Sequence, residues 1–208
     1  MSEKSARAYH SPLRDEQTNA TRGRILSTAT QLFAAHGFAA VSVARIAREA
    51  GVSLATVYLY FPGKAAIVGA LADDVAAAPD LSVEHFERES DPVRQLELGA
   101  AIIRTLNERA WQVADILRSA RGSDESLQQV WIQWQERHLS AMQRAVGALH
   151  ARGAPRDDLS PDDAVDILYA VTGTDVYRAL VHERGWSPEH YEEWLFQFAC
   201  RELLDNPA

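Results

Sequence analysis

Residues 42–64 read Ser-Val-Ala-Arg-Ile-Ala-Arg-Glu-Ala-Gly-Val-Ser-Leu-Ala-Thr-Val-Tyr-Leu-Tyr-Phe-Pro-Gly-Lys. Two short helical runs flank Gly51, and this glycine limits what the chain can fold into more than any other residue. Just past a helix the backbone turns most readily through the left-handed region, which glycine enters without Cβ strain. Ala47, four residues earlier, falls where two crossing helices come closest, so a larger side chain would push them apart. Val57 lands on the inner face of the second run, over Ile46 and Ala47. Ser42 and Ser53 each precede an apolar-periodic run and are expected N-caps. Neither has Glu or Gln three residues on, so no full capping box forms. Pro62-Gly63 closes the unit, which has the build of a helix-turn-helix.

The outward face of the second run carries the chemistry. Val52, Val57 and Phe61 fill its inner side, leaving Leu54, Ala55, Thr56, Leu59 and Tyr60 outside. Thr56 and Tyr60 are four apart and share a face. Hydroxyls there can bond phosphate oxygens or base edges, and Leu54 or Ala55 can meet a thymine methyl. Lys64, Arg22 and Arg24 can add charged phosphate contacts. A plain helical hairpin with a solvated face is the alternative, and the joint placement of Ala47, Gly51 and Val57 argues against it.

Residues 21–71 resemble the DNA-binding domain of the TetR family of transcriptional regulators. The motif that carries the resemblance is Gly51-Val52-Ser53-x-x-Thr56-Val57-Tyr58-x-Tyr60-Phe61-x-x-Lys64. The resemblance implies that residues 54–60 read bases and that Tyr58, Tyr60 and Lys64 touch the backbone. The candidate DNA-contacting set is Arg22, Arg24, Ser42, Arg45, Ser53, Leu54, Ala55, Thr56, Tyr58, Leu59, Tyr60 and Lys64. Leu54 stands where family members often carry a basic residue, and Leu59 where a polar or aromatic one is common. Both suggest an operator read partly through apolar contacts.

A net charge of −8 looks wrong for such a role until it is divided. Residues 1–64 hold eight Lys and Arg against four acids, whereas residues 65–208 hold 13 against 25. Positive charge gathers on the segment proposed to meet phosphate, and the remainder would be repelled by it. A hydrophobic fraction of 47% permits a real core. No run approaches the ~18–20 apolar residues of a membrane span, and no apolar leader opens the chain, so the expected location is the cytoplasm. The single cysteine, Cys200, excludes an internal disulfide and is expected to be a buried structural residue.

The fold expected is all-α. Residues 1–19, polar and without period, read as a flexible N-terminal arm. Residues 20–80 read as the helix-turn-helix domain with its linker helix, and 81–208 as an effector-binding and dimerisation domain. Helix one is expected over 21–36, with Ile25, Ala29, Leu32 and Phe33 on one stripe and Phe38 closing the small core. Helix four is expected over 64–78, stopped by Pro79. Further helices are placed near 92–107, 109–121, 125–152, 161–184 and 188–204. Ser160-Pro161 and Ser187-Pro188 mark two of the starts.

The last two helices are apolar on more than one side and therefore need two partners. Two copies packed as a four-helix bundle would supply them, giving a two-fold dimer with Val165, Leu168, Val176, Leu180, Tyr191, Trp194, Leu195 and Phe198 at the interface. Such a dimer reads a near-palindromic duplex. The helix 125–152 carries Trp131, Trp134, His138 and Met142 at helical spacing, a stripe that suits plain core or the wall of an effector cavity. With Trp111, Tyr169, Thr172 and Tyr177 these form the candidate effector site, aromatic walls with a few polar groups.

Phosphate loops, dinucleotide fingerprints, nucleophile elbows and paired metal-ligand motifs are all missing. No catalytic residue, metal or cofactor is expected. The reading is a ligand-responsive, operator-binding repressor, homodimeric and not membrane-bound, released by a small apolar or aromatic effector. An activator or ligand-independent regulator with the same DNA domain is an alternative, as is a helical ligand carrier or protein-interaction module.

Overall fold

The computed structural model describes residues 12–77, 83–122, 124–152 and 156–205. Ten α-helices and one π-helical turn follow one another, with no β-strand among the described residues. Contacts between elements divide the chain into two compact units, at Ala70 and Leu71 and not near residue 80.

The first unit holds α1 (Pro12–His36), α2 (Val43–Glu49), α3 (Leu54–Tyr60) and the start of α4 (Lys64–Ala76). The helix α1 starts nine residues before the expected position, so 12–19 belong to a helix and not to an arm; residues 1–11 lie outside those described. These first turns lack an apolar stripe, and periodicity could not reveal them. They extend a helix already nucleated by its buried half, which removes the nucleation cost. Ile25, Leu26, Ala29 and Phe33 of α1 pack with Phe38, Val41, Ile46, Ala47, Val57 and Phe61 in a closed core. Phe38 sits 5.3 Å from Phe33, ring to ring, closing this core as its position suggested.

The turn between α2 and α3 is a complete Schellman motif. Gly51 has φ +66°. Its amide donates to the Arg48 carbonyl at 3.2 Å, and that of Val52 to the Ala47 carbonyl at 3.0 Å. Two carbonyls that the end of α2 would orphan are thereby satisfied. Ser42 and Ser53 cap α2 and α3 as expected, accepting from the amides of Arg45 and Thr56.

The second unit contains the end of α4, then α5 (Val83–Arg88), α6 (Pro92–Ala120), α7 (Glu125–His150), α8 (Pro161–Thr172), α9 (Thr174–Tyr177), the π-turn Arg178–Glu183 and α10 (Pro188–Leu203). Asp91, Asp124, Ser160 and Ser187 are the N-caps of α6, α7, α8 and α10. The expected break near residue 108 does not exist; α6 runs unbroken for 29 residues. The helix expected over 161–184 is broken at Gly173, whose backbone is extended (φ −66°, ψ 153°), and then widens into the π-turn. The short α5 was not expected. A core of Leu96, Ile103, Met142, Val146, Leu149, Leu168, Tyr177, Tyr191, Leu195 and Leu203 unites α6, α7, α8, α9 and α10. Cys200 is buried and unpaired within it. No single helix among the described residues is long and apolar enough to cross a membrane.

Candidate DNA-contacting helix and ligand cavity

The seven-residue helix α3 buries one side chain, Val57, and exposes most of the rest. Leu54 is 43% exposed, Tyr58 51% and Leu59 82%. Three large apolar side chains left in water on so short a helix mark a surface made for a partner. Ala55 is exposed beside them, and Thr56 and Tyr60 are half-buried.

Ser53 and Thr56 place their hydroxyl oxygens 2.7 Å apart, so one of their two protons is spent between them and the other remains to donate. Lys64 is more committed than the sequence suggested. Its Nζ donates to the Phe38 carbonyl at 2.8 Å and lies 4.3 Å from the centre of the Phe38 ring. It therefore braces the start of α4 against the loop after α1 and keeps two ammonium protons for other partners. Arg45 is likewise tied back, its Nη2 donating to His36 Nε2 at 2.8 Å. The Arg22 guanidinium lies 6.0 Å from the Phe61 ring. Arg24 and Ser42 are exposed, Ser42 in its capping role.

The second unit holds a half-open cavity of about 280 Å³. Leu96, Ile103, Leu106 and Ala110 of α6 form one wall, and Trp134, His138, Ala141, Met142 and Ala145 of α7 another. Leu168 and Thr172 of α8, Leu195 and Ala199 of α10, Phe86 of α5, and Val75 and Ala76 of α4 complete it. Of the eight residues proposed from sequence, the structure brings Trp134, His138, Met142 and Thr172 to this cavity.

The other four lie elsewhere. Trp111 stacks at 3.9 Å on His182. Trp131 lies under the Arg121 guanidinium at 4.8 Å. Tyr169 stands behind His138, ring centres 4.6 Å apart, and accepts a hydrogen bond from Gln135 at 2.7 Å. Tyr177 is fully buried, edge-on to Tyr191 at 5.0 Å. Periodicity could not sort these four from the others, because several helix faces compete for each aromatic ring. The contribution of α6 was missed altogether. Its signal was the run Leu96, Gly99, Ile103, Leu106 and Ala110, small and aliphatic residues at helical spacing.

Polar groups in the wall are few and tightly organised. Gly173 ends α8, which would orphan the Thr172 carbonyl; buried Asn107 supplies the missing donor through Nδ2 at 3.0 Å. The same amide reaches the Tyr191 hydroxyl at 3.2 Å. Thr172 Oγ1 donates its one proton to the Leu168 carbonyl at 2.7 Å. It must then accept from His138 Nε2, 2.8 Å away, which assigns the Nε2-protonated tautomer and leaves Nδ1 as acceptor. Burial holds the His138 pKa below the ordinary histidine value, so the ring is neutral at pH 7. Burial pushes the Tyr169 and Tyr191 hydroxyls upward, Tyr191 strongly, and both stay protonated.

A profile of the family described as bacterial regulatory proteins, tetR family, matches residues 25–71. The HTH-type transcriptional regulator EthR of Mycolicibacterium smegmatis is 27% identical over 168 residues, which is 79% of this chain and 77% of that protein. The chain thus carries a TetR-family domain over residues 25–71 and resembles an HTH-type transcriptional regulator over most of its length. Its fold is shared by NalD of Pseudomonas aeruginosa, described as the secondary repressor of the MexAB-OprM multidrug efflux pump (TM-score 0.72, 24% identity, 92% of this chain and 99% of that one). A SmeT–triclosan complex has the same fold, with a TM-score of 0.74 at 21% identity over 90% of this chain and 93% of that one.

The dimer residues proposed from sequence divide in two. Val165, Leu168, Tyr191 and Leu195 are buried in the core of a single chain and have no surface to offer a partner. Val176, Leu180 and Trp194 are only half-buried, along with Val181, Trp186 and Phe196, and so is Phe198. The sequence showed helices that were apolar on two sides; which side faced α6 could not be read from periodicity.

No cluster of three His, Cys, Asp or Glu side chains suited to a metal occurs among the described residues.

Proposed function

We propose that the protein is an operator-binding repressor which a small, largely apolar molecule releases from DNA. The observation that carries this reading is the cavity. A half-open, largely apolar cavity of about 280 Å³, whose wall also carries a neutral histidine, a threonine and two arginines, offers an apolar ligand dispersion contacts that no protein atom supplies. The likeness to a fold solved with triclosan bound supports an effector of that character.

The helix α4 links this cavity to DNA binding. Its end contributes Val75 and Ala76 to the cavity wall. Its start, at Lys64, is pinned to Phe38 four residues after the end of α3. A ligand that prefers one placement of α4 therefore biases the position of α3. A differential affinity of ~1–3 kcal/mol between two conformers would weaken operator binding about 5- to 150-fold. The half-buried face of Val176, Leu180, Trp194 and Phe198 is covered, in this reading, by a second copy, so that two α3 helices read a near-palindrome.

The test is selection of bound duplexes from a random pool, then a screen for small molecules that free the selected duplex. Trp134→Ala should bind that duplex normally and respond to the releasing molecule at least ~10-fold less well, having lost an aromatic wall. A normal response in this variant would remove the cavity from the account.

A further inference from the structure

We infer that the effector is an amphipathic anion, its apolar tail in the cavity and its acidic head group on Arg137 and Arg144. The inference rests on the cavity being the effector site. Charge at the wall is the first observation. Acids outnumber Lys and Arg by 25 to 13 over residues 65–208. Yet the described residues lining the cavity include two arginines, Arg137 and Arg144, and no Asp or Glu. His138 adds no charge, because burial keeps it neutral.

Both arginines also line a polar surface groove next to the cavity, with Gln133, Glu136 and Ser140. Arg137, Ser140 and Arg144 follow at i, i+3 and i+7, one stripe along α7, while His138, Ala141, Met142 and Ala145 form the adjoining stripe that faces the cavity. One ligand can thus keep its tail among the apolar residues and its head at the guanidinium stripe. Arg144 donates to Ser140 Oγ at 3.1 Å and meets no carboxylate among the described residues, so its charge awaits a partner. Arg137 is paired at 2.9 Å with Asp73, a residue of α4. An arriving carboxylate or phosphate competes with Asp73 for Arg137 and loosens the hold of α7 on α4. Binding at the head group and movement of the linking helix become one event.

Calorimetry on the full chain tests this with three probes of equal tail, decanoate, decan-1-ol and decyltrimethylammonium. Decanoate should bind about tenfold more tightly than the alcohol, the increment of a charge-assisted hydrogen bond, and the cation most weakly. Arg144→Gln, on an exposed position of α7, should erase the preference for decanoate while leaving the affinity for decanol unchanged. Asp73→Asn should strengthen decanoate binding by freeing Arg137. Decyl phosphate separates two head groups of the same chemistry, and tighter binding of either anion supports the inference. If decanol binds as well as decanoate to the wild-type protein, or if Arg144→Gln preserves the preference, the head-group assignment is overturned and the cavity reading stands. If none of the probes binds, both fall.

Discussion

Substituting Gly51 strikes at one torsion and two hydrogen bonds together. No atom lies within 4 Å of where its Cβ would be, so crowding is not the difficulty. The cost is the left-handed φ of +66°, ~1–2 kcal/mol for a residue with a side chain. Gly51→Ala should therefore loosen the α2–α3 turn, and hydrogen exchange of the Val57 and Phe61 amides should speed up roughly tenfold, with amides of the second unit unaffected. Equal exchange in the variant would mean that the Schellman bonds do not hold this turn. His138 offers a second test at this scale. Its folded pKa is depressed, so between that value and the unfolded value near 6.5 the unfolded chain binds more protons than the folded one. Stability should fall as pH drops through about 6.5 and level off below the folded pKa. His138→Gln should flatten this part of the pH profile in urea unfolding followed by Trp fluorescence; a profile unchanged by the substitution would contradict the burial of a neutral ring.

Elements differ in how far the sequence betrays them, and the reasons are local. The turn at Gly51, the caps at Ser42, Ser53, Ser160 and Ser187 and the inner face of α3 were all legible, because each depends on residues within one or two turns of it. The continuity of α6 was not. Asn107-Glu108-Arg109 looks like a polar interruption, but Asn107 points inward to the Thr172 carbonyl, 65 residues away in the chain. Outside, Glu108 pairs with Arg104 one turn back at 2.7 Å, and Arg104 also reaches Glu192 of α10 at 2.5 Å. Half of the cavity was hidden for the same reason, since its α6 wall is made of ordinary aliphatic residues. The exposed face of α3 makes a prediction for a whole element. Leu59→Ala removes a side chain that is 82% in water, so thermal stability should hold to within ~0.5 kcal/mol. Binding to the selected duplex should weaken several-fold in a gel-shift titration. Unaltered affinity would move the DNA contact off this face.

For the whole molecule, the proposed function joins two features: the basic excess of residues 1–64 would meet DNA, and the half-buried apolar face of α10 would meet a second copy. Phe198→Glu places a charge on the half-buried face of α10 without entering the core. In sedimentation the variant should run as a monomer where the wild type runs as a dimer, and it should lose affinity for the near-palindromic duplex. The most direct measurement is the affinity of the full chain for duplex DNA across a range of salt concentrations, with the selected sequence set against a scrambled one. The account predicts a clear preference for the selected duplex, and log K that falls linearly with log salt as phosphate contacts release counterions. An affinity without sequence preference at every ionic strength would contradict it.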